Sequence, residues 1–273
     1  MSNFYQRTLS GAVYVGLVVA SILVHPAFFG GLFLLVTLLA IQEFHHLMHS
    51  SQQLTLSSMV GGVLTFVATW FIFLYESYMT LDAIVILLLA HLAWMIWVLV
   101  RELWTQAQDP IRNWGNALIS QWMIALPFAA MNFILSESKW LLLALFITIW
   151  VNDSGAYCVG SLLSKRKGGN HKMFPRVSPN KSWEGLIGGI VFALIAGYVF
   201  FRVGWIEQLS TALILTLAIA VFGTLGDLME SLFKRTLGVK DSGRFMPGHG
   251  GVLDRFDSIL LATPVVAILL ILI

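Results

Sequence analysis

The sequence predicts an all-α, polytopic integral membrane protein with about nine transmembrane helices. Composition indicates this class, because 58% of the 273 residues are hydrophobic and only 11% are charged, whereas a soluble domain carries about 25% charged residues. Ten Trp suit a chain with two water–lipid boundaries. The alternating short strands of a membrane β-barrel are absent from the sequence.

Nine apolar runs are each long enough to cross the bilayer, which takes roughly 17–25 residues. They cover residues 10–28, 30–48, 57–75, 81–100, 115–135, 139–162, 184–203, 209–235 and 257–273. The first run follows a lone Arg7, as a signal peptide would, but it has no small-residue cleavage site and another run begins at once. We therefore expect it to be a retained helix.

The distribution of Lys and Arg predicts the orientation of these helices. Fourteen of them lie on the side of the N-terminus, and two, Lys139 and Arg202, lie on the other side. By the positive-inside rule, the N-terminus and the two basic loops are cytoplasmic and the C-terminus is outside.

The N-terminal half carries one polar group of note, at the end of the second run: Glu43, His45, His46 and His49. His45 and His49 are four residues apart, so a metal site on one helix face is one interpretation. A polar cap at the membrane interface is the other, and we favour it. We find no internal repeat, which disfavours a transporter built from inverted repeats.

Acidic residues inside apolar runs point to function in the C-terminal half. Asp227 and Glu230 lie in the eighth run, and Asp153 follows Asn152 in the sixth. Inserting one central acid costs about 2.5–3.5 kcal/mol, against roughly 0.3–0.6 kcal/mol gained per Leu, Ile, Phe or Val. Such costly groups are functional candidates by default. A purely structural Asp153, hydrogen-bonded to neighbouring helices, is the alternative interpretation.

Helical spacing groups these charges. Asp227, Glu230, Ser231 and Lys234 follow each other at i, i+3, i+4 and i+7, which places them on one helix face. A second helix that begins near Leu253 would place three more polar residues on one face: Asp254, Asp257 and Ser258. The turn before that helix is rich in glycine, at positions 248, 250 and 251, and its N–H groups can form an anion-binding nest.

The basic loop between the sixth and seventh runs offers a phosphate site. Ser178-Pro179-Asn180-Lys181-Ser182 predicts a turn that leads into a helix N-terminus, with Lys181 beside it. Contacts of the loop's bases with lipid headgroups are the alternative.

Acids and bases occur in equal numbers in the stretch 226–258. They are Asp227, Glu230, Asp241, Asp254 and Asp257, and Lys234, Arg235, Lys240, Arg244 and Arg255. A solvated loop with salt bridges does not explain acids inside an apolar run, so we favour a site for a polyanion and a cation. Carboxylates without Cys or clustered His favour a hard cation such as Mg²⁺. With Lys and Arg, Mg²⁺ is suited to phosphoryl or nucleotidyl transfer. A Walker A loop, a dinucleotide fingerprint and a Ser-His-Asp elbow are absent from the sequence.

The stretch Ser231-x-Phe233-Lys234-Arg235-x4-Lys240-Asp241-x-Gly243-x3-Pro247-x-His249-Gly250-Gly251-x2-Asp254-Arg255-x-Asp257 closely resembles the signature of the phosphatidate cytidylyltransferases, or CDP-diacylglycerol synthases. Residues 152–157 and 178–185 also resemble that family. The resemblance is strong over roughly 150–260 and weak before it. Two departures are small: Met246 stands where Leu, Ile or Phe is usual, and the loop 164–176 is long for bacterial members.

The resemblance implies a Mg²⁺-dependent transfer of CMP from CTP to phosphatidate, which yields CDP-diacylglycerol and pyrophosphate for phospholipid biosynthesis. It implies a bacterial inner membrane protein with its active site at the cytoplasmic side, no nucleic-acid partner, and a homodimer. Region 141–273 is then catalytic, with cytoplasmic loops 163–183 and 236–256, and region 1–140 holds about five further helices.

The resemblance also implies residue roles. The implied ligands of a metal pair, or of a metal with a monovalent cation, are Asp227 and Asp254. The implied catalytic or orienting residues are Asp153, Glu230, Lys234, Asp241 and Asp257. The implied substrate-binding residues are Ser178, Lys181, Arg235, Lys240, His249, Gly250, Gly251 and Arg255. His249 either donates to a phosphate or fixes the turn.

Three other classes of function are alternatives to this one. A CTP-dependent lipid kinase would share the nucleotide and the lipid but would release CDP rather than pyrophosphate. An organic-anion transporter would need charges across the whole membrane, whereas the strong motifs lie on one side. A CDP-alcohol phosphotransferase would carry an Asp-x2-Asp-Gly-x2-Ala-Arg pattern, which is absent from the sequence.

Overall fold

The computed structural model describes residues 3–75, 80–165, 169–243 and 250–273, and these are almost entirely helical. The helices are α1 Asn3–Val24, α2 Pro26–Leu47, α3 Gln52–Leu74, α4 Leu81–Thr105, α5 Pro110–Ser120, α6 Leu126–Glu137, α7 Lys139–Leu163, α8 Trp183–Arg202, α9 Leu209–Thr236, α10 Leu253–Phe256 and α11 Ile259–Leu272. A π-helical turn, Gln121–Ala125, joins α5 to α6. The predicted all-α fold class is confirmed.

Eight helical stretches in the described residues are long and apolar enough to cross a membrane, and they match the second to ninth predicted runs. Two of them are compound: α5 continues through the π turn into α6, and α10 is followed by α11. The first predicted run corresponds to a shorter apolar helix, Thr8–Val24. The chain is therefore a multi-pass membrane protein.

Polar caps explain where the helix boundaries differ from the apolar runs. α3 begins five residues before its predicted run at 57, because Ser51 caps it by accepting a hydrogen bond from the Leu54 N–H at 3.2 Å. α5 begins at Pro110 rather than at 115, because Asp109 accepts from the Arg112 N–H at 2.9 Å. Hydropathy detects neither cap, since both are polar.

A short antiparallel hairpin interrupts the helices in the basic loop. It pairs β1, Lys172–Phe174, with β2, Ser178–Ser182. The sequence predicted a turn at 178–182. This prediction was wrong, because the segment is a strand. It does lead into a helix, as expected: the Ser182 hydroxyl caps α8 by accepting from the Gly185 N–H at 3.1 Å.

The chain divides into two compact units. The first comprises Met1–Ser136 with Asp241–Arg255, and the second comprises Glu137–Lys240 with Phe256–Ile273. The first unit therefore holds α1 to α6 together with the loop before α10, whereas the sequence-based division placed that loop with the C-terminal region.

Small residues bring α7 and α8 of the second unit together. A Cβ atom built on Gly188 would lie 2.5 Å from the Val159 side chain, and one built on Gly189 would lie 2.5 Å from Asn152 Oδ1. These glycines allow the two helix backbones to approach closely, as small residues do in membrane helix pairs. The contact fixes the segment of α7 that carries Asn152 and Asp153.

Candidate active site

In the second unit, one face of α9 carries the predicted polar residues. The Ser231 hydroxyl donates to Asp227 Oδ1 at 3.2 Å, and Lys234 Nζ lies 2.5 Å from Glu230 Oε2. Both pairs are four residues apart, as the helical spacing requires. The prediction that these four side chains share one helix face is confirmed.

Lys181 reaches this face from β2. Its Nζ lies 2.6 Å from Asp227 Oδ2 and donates to the Thr224 carbonyl oxygen at 3.4 Å. The two side chains of the ion pair are 24% and 30% exposed. The resemblance assigned Lys181 to a phosphate and Asp227 to a metal. The structure brings the two residues into direct contact.

Two further acids lie near Asp227. Asp153 of α7 and Asp257 both interact electrostatically with Asp227, and Asp257 also interacts with Glu230. Carboxylates from α7 and from the turn before α11 thus lie within electrostatic reach of Asp227, the acid that pairs with Lys181. Concentrated negative charge of this kind is costly without a nearby positive charge, and Lys181 supplies one such charge through its ion pair with Asp227.

Gly226 allows the turn that carries Asp257 to approach α9. A Cβ atom on Gly226 would lie 2.7 Å from the Asp257 carbonyl oxygen and 3.2 Å from that of Ser258. Asp257 itself interrupts the helix, because its Oδ1 accepts from the Ser258 N–H at 2.6 Å. The sequence predicted one helix from Leu253 through Ser258. The helix begins at Leu253 but ends at Phe256.

The Glu230–Lys234 pair is buried, with side chains only 2% and 9% exposed. A buried ion pair contributes little net stability, yet loss of one partner is costly. Arg235, the next residue, is exposed, and its guanidinium joins the end of α9 to the hairpin. It donates to the Val239 carbonyl oxygen at 3.0 Å and to that of Val177 at 3.4 Å. Lys240 is exposed and Ser178 is half-buried.

In the first unit, Asp254 organises the loop that precedes α10. Its Oδ2 accepts from the Gly251 N–H at 2.7 Å, from the Ser242 N–H at 2.9 Å and from the Ser242 hydroxyl at 3.0 Å. Gly250 has φ +82°, which favours glycine, and a Cβ there would overlap Asp254. Asp254 is therefore held firmly by the loop, and its assignment as a metal ligand stays a prediction.

Glu43 also binds this loop, a contact that the sequence did not predict. Its Oε1 accepts from the Val252 N–H at 2.8 Å, and its Oε2 accepts from the Leu253 N–H and the Ser242 hydroxyl, both at 3.0 Å. The favoured interpretation, an interfacial polar cap, did not predict these contacts of Glu43 with the loop. The available signal was the one applied to Asp153 and Asp227, an acid inside an apolar run.

The histidines near Glu43 do not form the alternative metal site. His45 is buried, and its Nδ1 lies 2.9 Å from the Ser50 hydroxyl. His49 lies beyond the end of α2 with φ +52°, so the two rings do not share a helix face. Within the described residues, no three His, Cys, Asp or Glu side chains form a group that could hold a metal ion.

The remaining predicted residues are placed as follows. Asp241 is exposed at the start of the loop, and Arg255 is half-buried in α10, where its carbonyl oxygen accepts from the Tyr14 hydroxyl at 3.3 Å. His249 and Arg244 lie outside the described residues. Asp227 belongs to the second unit and Asp254 to the first, so their joint ligation of a metal stays a prediction.

Comparisons with family models and with curated proteins point to the same family. A family model described as "Cytidylyltransferase family" matches residues 5–273. The chain is 47% identical over 137 residues to the phosphatidate cytidylyltransferase of Staphylococcus haemolyticus, and that alignment covers 50% of this chain and 51% of the relative. The enzyme of the same name from Staphylococcus aureus strain COL is 46% identical over the same shares. The chain thus spans about half the length of the curated relatives it matches.

Proposed function

The chain belongs to the cytidylyltransferase family, and from this premise we propose that it transfers CMP from CTP to phosphatidate. The products are CDP-diacylglycerol and pyrophosphate. The bacterial relatives bear the name of this activity, and the site has the charges that the reaction requires.

One observation carries the proposal: the contact of Lys181 with Asp227, beside Asp153 and Asp257. Charge neutralisation and positioning account for most of the catalysis in reactions at phosphorus. A site for CTP therefore needs cations for the triphosphate and acids that hold further cations. The second unit brings both kinds of side chain together from β2, α7, α9 and the turn before α11.

We propose Mg²⁺ as the cofactor, because the available donors are carboxylates. Hard oxygen donors suit Mg²⁺, whereas the described site residues include no Cys. Asp227 is the first candidate ligand and Asp254 the second. When bound, Mg²⁺ would polarise the phosphoryl oxygens and neutralise the charge that develops on them.

The basic side chains position the triphosphate and the lipid phosphate. Lys181 exchanges Asp227 for a phosphate oxygen when CTP binds, since the pair is partly exposed and a Lys ammonium group lies on a flexible four-carbon stem. Arg235 uses two of its five N–H donors on the Val177 and Val239 carbonyl groups and presents the others to a phosphate. Lys240, Arg255 and His249 complete the set, and the Gly250-Gly251 turn lies close to them in sequence.

The reaction is then a direct displacement. A phosphate oxygen of phosphatidate attacks the α-phosphorus of CTP in line, the bond from that phosphorus to the bridging oxygen breaks, and pyrophosphate leaves. No covalent enzyme intermediate forms. Glu230, Asp241 and Asp257 orient the basic side chains and the cation ligands around the reacting phosphates.

We place the active site at the cytoplasmic side of a bacterial inner membrane, with the N-terminus cytoplasmic and the C-terminus outside. The excess of Lys and Arg on one side supports this orientation. It also agrees with the chemistry, because CTP is a cytoplasmic metabolite and phosphatidate is a membrane lipid.

Purified protein in mixed micelles with CTP, phosphatidate and Mg²⁺ tests the proposal. Pyrophosphate and CDP-diacylglycerol should appear in equal amounts, and both should disappear when a chelator is added. Release of CDP without pyrophosphate would indicate a lipid kinase instead. No turnover of CTP with phosphatidate would overturn the proposed function.

A further inference from the structure

Glu43 joins the C-terminal end of α2 to a loop that is distant in sequence. Its two carboxylate oxygens accept three hydrogen bonds: Val252 N–H at 2.8 Å, and Leu253 N–H and Ser242 Oγ–H at 3.0 Å each. Hydrogen bonds to a charged group are about twice as strong as neutral ones. One side chain thus holds Ser242 and the backbone of Val252 and Leu253.

The same loop holds Asp254. The Ser242 hydroxyl lies 3.0 Å from Glu43 Oε2 and 3.0 Å from Asp254 Oδ2. A hydroxyl has one proton to donate, so the two carboxylates share it. The position of Asp254 is therefore coupled to that of Glu43 through Ser242 and through the adjacent backbone of Val252 and Leu253.

The glycines of the loop fit closely around Glu43. A Cβ atom on Gly243 would lie 2.5 Å from Glu43 Oε1, and one on Gly251 would overlap both Glu43 and Ser242. The loop backbone thus lies directly against the carboxylate. Position in α2 does not account for an acid here, because a negative charge near a helix C-terminus is disfavoured by the helix dipole.

We propose that Glu43 is a positioning residue for the reaction, which fixes Ser242 and the backbone of Val252 and Leu253 so that Asp254 keeps its orientation. The effect of Glu43 on catalysis that we infer here rests on the proposed function. Glu43 itself does not contact a substrate.

Glu43→Gln is the primary test, because it keeps the size of the side chain but replaces one acceptor oxygen with an NH₂ group that faces loop donors. We expect kcat to fall about 10–100-fold, the loss typical when a partner of a site carboxylate is removed. The KM for CTP should change much less, because orientation rather than binding is lost. The N–H groups of Val252 and Leu253 should also exchange with deuterium faster than in the unchanged protein.

Glu102→Gln is the matched control. Glu102 is a buried acid of the same unit that binds Arg101, Thr105 and Asn113, and it bonds none of the loop residues that the structure describes. Its replacement should leave kcat and the exchange of Val252 and Leu253 unchanged. An equal loss of kcat in both variants would show a general effect of removing a buried acid and would overturn the inference.

Ser242→Ala is a second variant, which tests the inference if Glu43→Gln does not fold. It removes only the shared hydroxyl and should lower kcat less than Glu43→Gln while speeding exchange in the loop. Full activity of either folded variant would overturn the inference. If the unchanged protein itself shows no CMP transfer, the proposed function is wrong, and the exchange rates still decide whether Glu43 holds the loop.

Discussion

Lys181 Nζ lies 2.6 Å from Asp227 Oδ2, and this contact joins the β-hairpin to the polar face of α9. Asp153 and Asp257 are near enough for their charges to interact with Asp227. The hairpin therefore places the Lys181 ammonium group beside Asp227, and we propose that the same group binds a phosphate. We regard this pair as the centre of the candidate site in the second unit.

Lys181→Met should lower the rate of CMP transfer by about 10²-fold or more, the loss typical when one stabilising donor is removed from a charged transition state. Stability should barely change, since the pair is partly exposed and such pairs contribute about 0–1 kcal/mol. Steady-state kinetics and thermal unfolding in detergent measure the two effects separately.

Lys139→Met is the control for that variant. Lys139 lies at the start of α7 in the same unit, over the ring of Trp140, and it contacts none of the site residues in the described structure. Its replacement should leave the rate unchanged. A Lys181→Met enzyme as active as the Lys139→Met enzyme would exclude a role for Lys181 in phosphate binding.

Asp227→Asn should reduce CMP transfer by roughly 10³-fold or more, equivalent to about 4 kcal/mol of transition-state stabilisation. The physical reason is loss of the charge that pairs with Lys181 and that we assign to cation binding. The protein should still insert in the membrane, because an amide costs less to bury than a carboxylate. Glu207→Gln, at an exposed site before α9, should remain fully active. Normal activity of Asp227→Asn would show that Asp227 is not part of the active site.

Hydropathy predicted the fold because bilayer thickness fixes the length of an apolar helix. It missed the beginnings of α3 and α5, since Ser51 and Asp109 are polar caps. It also missed the π turn Gln121–Ala125 and the hairpin. Neither leaves a periodic apolar pattern in the sequence, because one is a single turn and the other has strands of three and five residues.

The site was predictable where its contacts are local. The Asp227–Ser231 and Glu230–Lys234 pairs follow from helical spacing alone. The contact between Glu43 and Ser242 joins positions 199 residues apart and has no local signature. An acid inside an apolar run predicts that a partner exists, but only the tertiary structure identifies that partner.

Glu230→Gln should destabilise the protein by about 3–5 kcal/mol, because it removes one charge of a buried ion pair and leaves the other charge buried. The double variant Glu230→Met with Lys234→Met should recover most of that loss, since buried pairs can be replaced by apolar side chains. Thermal or denaturant unfolding of the purified proteins checks both expectations.

Activity distinguishes a structural role of this pair from a catalytic one. If the pair serves the reaction, the stable double variant should remain inactive in CMP transfer. A double variant with normal activity would show that Glu230 and Lys234 only support the fold.

Gly226→Ala should separate α9 from the turn that carries Asp257. The added Cβ would lie 2.7 Å from the Asp257 carbonyl oxygen, so the backbone must move by several tenths of an ångström. A misplacement of about 1 Å can cost about 10²-fold in rate, and for this smaller displacement we expect a loss of about 10-fold in kcat. Gly115→Ala, where no atom lies within 4 Å of the new Cβ, should keep full activity and gain helix stability of about 1 kcal/mol. Kinetics and unfolding of both variants test this. A fully active Gly226→Ala enzyme would show that catalysis does not depend on the close approach of α9 to Asp257.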